Sequence, residues 1–181
     1  GAGIGGTVGK RFAAEGYHAV LCRRSDQQGL DRMTGEIESA GGSASGFLLN
    51  AVDEGVIEER IEFIEAEIGP IEVVVFNLGA QVGNRALADT SYKTFELGWR
   101  MATFALFRVA SVICPLMVAR GQGALLVTSA TSAVRGNAGQ HSHAAAMGGR
   151  RMLCQSLNAE FSGQGVHVAH IVVDGAVDAP D

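Results

Sequence analysis

The sequence is poor in proline and cysteine, three of each in 181 residues, and only 6% of it is aromatic. Basic charge is not in excess either: Lys+Arg number 14 against 19 Asp+Glu, a formal charge of −5. Without a Lys/Arg stripe to release phosphate counterions, a nucleic-acid partner is not expected. No uninterrupted apolar run approaches the ~20 residues of a membrane helix, and the N-terminus lacks the basic-then-apolar layout of a secretory signal. A membrane partner is therefore not expected, and the predicted location is the cytoplasm. Cys22, Cys114 and Cys154 are odd in number and far apart in apolar segments, which predicts buried thiols rather than a disulfide framework. What the chain does have is apolar residues, 47%, and glycine. Its 25 glycines are about twice the usual ~7% share, so many backbone positions must turn sharply or approach something closely.

Short β-rich apolar runs alternate with longer segments of helical period, the pattern of an α/β domain with a parallel sheet. The predicted strands are His18–Cys22, Ser45–Leu49, Ile71–Phe76, Ala124–Thr128 and Val166–Val173. Runs such as 72–76 and 124–127 are apolar at consecutive positions, so helices should cover both sheet faces and the fold should be doubly wound. Ile57, Ile61, Ile64 and Ile68 form one buried helical stripe with Glu58, Glu59, Glu62 and Glu65 between them. Leu30, Met33 and Ile37 repeat that pattern. Segments 92–119 and 144–161 are apolar nearly all round and should be central or covered by a partner, and Pro115 should lie near a helix end or kink it. One domain over 1–181 is the expectation.

The run Gly1-Ala2-Gly3-Ile4-Gly5-Gly6 precedes a helix, and glycines there let a backbone approach a phosphate at the helix N-terminus. Such a turn ordinarily follows a strand, so a first strand is expected upstream and a C-terminal substrate region beyond Asp181. Helix 5–15 leads to strand 18–22 and then to Arg23-Arg24-Ser25, where a dinucleotide-binding βαβ unit selects its ribose. Arginine suits a 2′-phosphate because its planar fork pairs with phosphate in a bidentate way, which favours NADP(H) over NAD(H).

These features together resemble the short-chain dehydrogenases/reductases. Gly3-Ile4-Gly5 followed by Lys10-Arg11-Phe12 is similar to the second half of that family's glycine turn and first helix. Asn77-Leu78-Gly79-Ala80 resembles its Asn-Asn-Ala-Gly turn, and Asn50-Ala51 stands where Asp-Val usually meets the adenine. Val127-Thr128-Ser129 and Asp174-Gly175-Ala176-Val177 match the later strand ends. The resemblance implies a Rossmann-like fold and cofactor contacts from Gly1, Gly3, Ile4, Gly5, Arg23, Arg24, Asn50, Ala51, Asn77, Leu78, Gly79, Met147, Gly175 and Val177. It also implies a small carbonyl or alcohol substrate and assembly as a homodimer or homotetramer through the apolar helices.

The catalytic positions depart from the family. Its tyrosine acid/base falls on His143, its lysine on Met147, its serine on Ala130 and its asparagine on Ala102. A tyrosine of unperturbed pKa near ~10 needs a nearby ammonium, whereas an imidazole near ~6.5 does not, so His143 is the candidate acid. Ser129, Thr131 or Ser142 would then hold the substrate oxygen. The alternative is a nucleotide-binding or scaffolding module whose redox chemistry is impaired. His141, His143, His167 and His170 lack convincing ligand partners, so no metal is expected.

Overall fold

The computed structural model describes residues 3–79, 82–175 and 177. Gly1, Ala80 and Ala176, named above, lie outside the described residues. The chain falls into two compact units, residues 3–56 with 175 and 177, and residues 57–174.

In the first unit α1 (Ile4–Ala14) leads to β1 (His18–Arg23), α2 (Gln27–Ser39) and β2 (Ser43–Leu48). The strands pair in parallel, His18 opposite Ser43 through Arg23 opposite Leu48. β2 starts two residues earlier than the apolar run suggests. The His18 ring explains this: its Nδ1 lies 2.6 Å from the Ser43 hydroxyl and its Nε2 2.9 Å from that of Ser45, so two polar residues join the ladder. Ala13, Ala19 and Ile37 form the small core, with Leu21 and Ala44 packed against it. Asp26 caps α2 by accepting the Gly29 amide at 2.9 Å, satisfying one of the N–H groups a helix start leaves open.

The second unit begins with α3 (Val56–Glu67) and β3 (Val73–Phe76). α4 (Tyr92–Trp99), a π-helical turn at Arg100–Phe104 and α5 (Ala105–Arg120) follow without a break, then β4 (Gly123–Ala130), α6 (His141–Phe161) and β5 (Val166–Val173). β4 is central, parallel to β3 and β5. The predicted strand from Ile71 opens instead at Val73, because the Ile71 amide donates to Glu65 Oε1 and its carbonyl accepts from Arg120, so that residue is tied to helix side chains. Ile57, Ile61 and Ile64 are buried as expected, whereas Ile68 lies past the end of α3 and is exposed.

Pro115 lies in the C-terminal part of α5, five residues before its end at Arg120. It sits inside α5 on its exposed side, and the helix runs on to Arg120, where Gly121 closes it at φ +68°. The Tyr92–Arg120 segment is long and apolar enough to cross a membrane by length and composition, a feature hidden in the sequence by the interruptions at Arg100 and Arg108. Half of its most apolar stretch is buried inside the protein, and Arg108 is bound bidentately to Glu58 of α3, with Nε–Oε1 at 2.7 Å and Nη2–Oε2 at 2.5 Å. Those contacts make α5 a core helix of this unit. Cys114 and Cys154 are buried as expected and their thiols are pushed up to about 11 by burial. Cys22 is exposed, because it alternates outward on β1.

Candidate active site

Helix α6 organises the second unit's chemistry. His143, Met147, Arg150 and Cys154 recur at helical spacing and are all buried. The helix starts at His141, earlier than the apolar pattern suggested, so His143 lies in its first turn, 9% exposed. One turn on, Met147 is 4% exposed and packs in a cluster with Ala102, Ala133 and Ala146, against which Met101 and Ala130 also rest. The positions that the resemblance assigns to lysine, asparagine and serine thus meet in space. They meet as methionine and alanines, and the place is apolar.

Ala102 lies in the π-helical turn, a distortion frequent at functional sites. α6 approaches that turn closely: the Thr103 hydroxyl donates to the Ala146 carbonyl at 2.8 Å, and a Cβ on Gly149 would stand 2.8 Å from that same hydroxyl oxygen. The candidate hydroxyls separate here. Ser142 donates to the Phe95 carbonyl at 3.1 Å, which fastens α6 to α4. Ser129, at the end of β4, is buried, and its Oγ has no hydrogen-bond partner among the described residues. Ser132, in the 3₁₀ turn Thr131–Ala133, is in the same condition and was not singled out from the sequence. A buried hydroxyl without a partner is a donor awaiting one.

Arg150 was missed as well. It is 1% exposed, and no carboxylate pairs with it among the described residues. Its Nε donates to the Ala102 carbonyl at 3.1 Å, Nη1 to Thr128 at 2.9 Å and Nη2 to Leu78 at 2.8 Å, while its guanidinium lies 5.0 Å from the centre of the Phe76 ring. Burial lowers its pKa to about 10, still a cation at neutral pH. The only sequence signal was an arginine at helical spacing from His143 and Met147. The Asn77-Leu78-Gly79 turn is held in addition by Thr128, whose hydroxyl lies 2.7 Å from Asn77 Oδ1.

His170 of β5 is half-buried, and its pKa is lowered by desolvation and by the nearby Arg151 and Arg150 charges. His167 is exposed, and among the described residues no group of three metal-ligating side chains forms.

In the first unit Gly3 stands at the N-cap of α1 with no side-chain cap, and Ile4 and Gly5 open the helix. Arg23 is bound to Asp26, whereas Arg24 is exposed. Asn50 donates from Nδ2 to Asp53 at 2.9 Å beside the half-buried Ala51. Gly175 has a φ of +143°, and Val177 is exposed.

A family model described as short chain dehydrogenase matches residues 1–180. Among curated relatives, the 3-oxoacyl-[acyl-carrier-protein] reductase FabG of Thermotoga maritima is 25% identical over 178 residues, covering 98% of this chain and 71% of that protein. The 2-dehydro-3-deoxy-D-gluconate 5-dehydrogenase of Formosa agariphila is 26% identical over 166 residues, covering 92% of this chain and 62% of that protein. A solved short-chain dehydrogenase from Rhodopseudomonas palustris superposes with a TM-score of 0.89 at 36% identity, over 93% of this chain and 78% of its own. The chain belongs to the short-chain dehydrogenase/reductase family of oxidoreductases and has its Rossmann-like fold.

Proposed function

We propose that this chain is an NADP(H)-preferring oxidoreductase for a small carbonyl/alcohol pair, with His143 as its acid/base. The carrying observation is the buried imidazole in the first turn of α6, at the place of the family's tyrosine. Within the first unit Gly3 leaves the α1 terminus uncapped for a phosphate and Arg24 is exposed at the end of β1; within the second unit, taken by itself, Thr128 and Arg150 hold the Asn77-Leu78-Gly79 turn. Gly5, Arg23, Asn50, Ala51, Gly175 and Val177 are proposed contacts on the same basis. When bound, the nicotinamide supplies or accepts hydride.

For carbonyl reduction, His143 would give a proton to the substrate oxygen, the cofactor supplying the hydride when bound. The Ser129 hydroxyl, buried and without a hydrogen-bond partner among the described residues, would donate a hydrogen bond that holds that oxygen. The exposed apolar residues of α4 and α5 support a homodimer or homotetramer, and a cytoplasmic location completes the reading.

A second reading is favoured by the apolar cluster at Ala102, Ala130 and Met147: a nucleotide-binding module without redox turnover. Calorimetric titration with NADPH and NADH, then turnover against a panel of carbonyls, separates the two. Activity abolished in His143→Ala supports the first; nucleotide binding without turnover of any carbonyl or alcohol selects the second. The absence of any nucleotide binding would overturn both.

A further inference from the structure

We propose that Arg150 is a positioning residue of the candidate site: one guanidinium fixes the turn after β3, the end of β4 and the π-helical turn, so that the surfaces around the site hold one arrangement. Each of its three hydrogen bonds ends at a carbonyl next to a candidate position. Leu78 is within the Asn77-Leu78-Gly79 turn, Thr128 directly precedes Ser129, and Ala102 stands at the family's asparagine position.

A buried cation without a carboxylate is costly unless its N–H groups are satisfied, and here backbone oxygens satisfy them. Those carbonyls belong to chain segments 22, 48 and 72 residues away from Arg150. A structural core arginine with no further role would be replaceable by an apolar side chain with ordinary packing losses. Arg150 differs because its partners are the carbonyls of Leu78 just past β3, of Thr128 in β4 beyond the last residue paired with β3, and of Ala102 in the π-helical turn. It also keeps a fixed positive charge on the α6 face that carries His143 and Met147, where the lysine is absent. Lysine is a poor substitute because an ammonium lacks the planar fork that reaches carbonyls in three directions.

The inference rests on the nucleotide reading for its ligand, and its test has one arm that does not. Arg150→Lys and Arg150→Leu are compared with the parent protein and with Ile113→Val, a change at a buried α5 residue whose apolar side chain can donate no hydrogen bond to the three carbonyls. Melting temperature, NADPH affinity and hydrogen–deuterium exchange are measured on each. The expected result is faster exchange in segments 77–79, 100–104 and 128–132 of Arg150→Lys, and at least a tenfold loss of NADPH affinity. Ile113→Val should lower the melting temperature and keep affinity within twofold. If Arg150→Leu does not fold, Arg150→Lys decides. Unchanged exchange in all three segments overturns the proposal, as does an equal affinity loss in Ile113→Val. If the parent binds neither NADPH nor NADH, the nucleotide reading fails, and the exchange result alone upholds or overturns the role of Arg150.

Discussion

Arg23 donates to the Asp26 carboxylate that caps α2, and the pair fits because residue 29 is glycine: a Cβ there would lie 1.8 Å from Arg23 Nη1. Arg23 is thus already matched to an anion within its own unit, and Arg24 is the exposed cation beside it. In calorimetry, Arg24→Ala is expected to reduce the preference for NADPH over NADH by about tenfold or more, from a charge-assisted contact worth about 1.5–3 kcal/mol. Arg23→Ala should change that ratio less and lower the melting temperature instead. A preference insensitive to both changes would remove the two arginines from ribose selection.

Glu58 is the acid whose titration should register in stability. The Arg108 guanidinium holds its carboxyl below the ordinary value of 4.5, mainly through their hydrogen bonds. A depressed carboxyl stabilises the fold above the ordinary glutamate range, and this contribution is lost as pH falls through the lowered value. Glu58→Gln should therefore cost about 2 kcal/mol near neutrality, less than a fully buried pair because a third of the Glu58 side chain meets water. Melting curves of parent and variant should begin to approach each other below pH 4.5 and meet once pH is below the lowered value. A constant gap from pH 7 to pH 3 would contradict the assignment.

Restoring the family's lysine alone should harm the protein. Met147→Lys places an ammonium in the apolar cluster of Ala102, Ala133 and Ala146, at a cost on the order of 3 to 5 kcal/mol for an uncompensated buried charge. Combining it with His143→Tyr, Ala130→Ser and Ala102→Asn supplies partners, and part of the melting temperature should return. Turnover should rise only in the combined variant, since groups acting as a unit are strongly non-additive.

Trp99, Phe104 and Phe107 stack in sequence along one face of the long helix, with centroids 5.3 and 6.3 Å apart. Phe107 is 51% exposed and Trp99 43%, a contiguous apolar surface of the kind that marks an interface. Sedimentation velocity should show a dimer or tetramer, and Phe107→Asp should shift it to monomer while far-UV circular dichroism stays unchanged. Trp99 is the single tryptophan, so its fluorescence should move to the red in that variant. A parent protein that sediments as a monomer at micromolar concentration would refute the proposed assembly.

Taken alone, the sequence determined the parallel α/β alternation and the existence of all five strands. The reason is local: consecutive apolar residues such as Val73–Phe76 suit a strand covered on both faces, and the helical repeats of Ile57, Ile61 and Ile64 demand burial on one side. Strand boundaries depended on tertiary partners, as with Ser43 and Ser45 drawn into the ladder beside His18. The burial of His143, the Ser129 and Ser132 hydroxyls that find no partner among the described residues and the three-carbonyl grip of Arg150 were decided by the tertiary structure alone. Carbonyl acceptors leave no trace in residue identity, because every residue has one. Which of them converge on a buried guanidinium is fixed only when segments up to 72 residues apart are brought together.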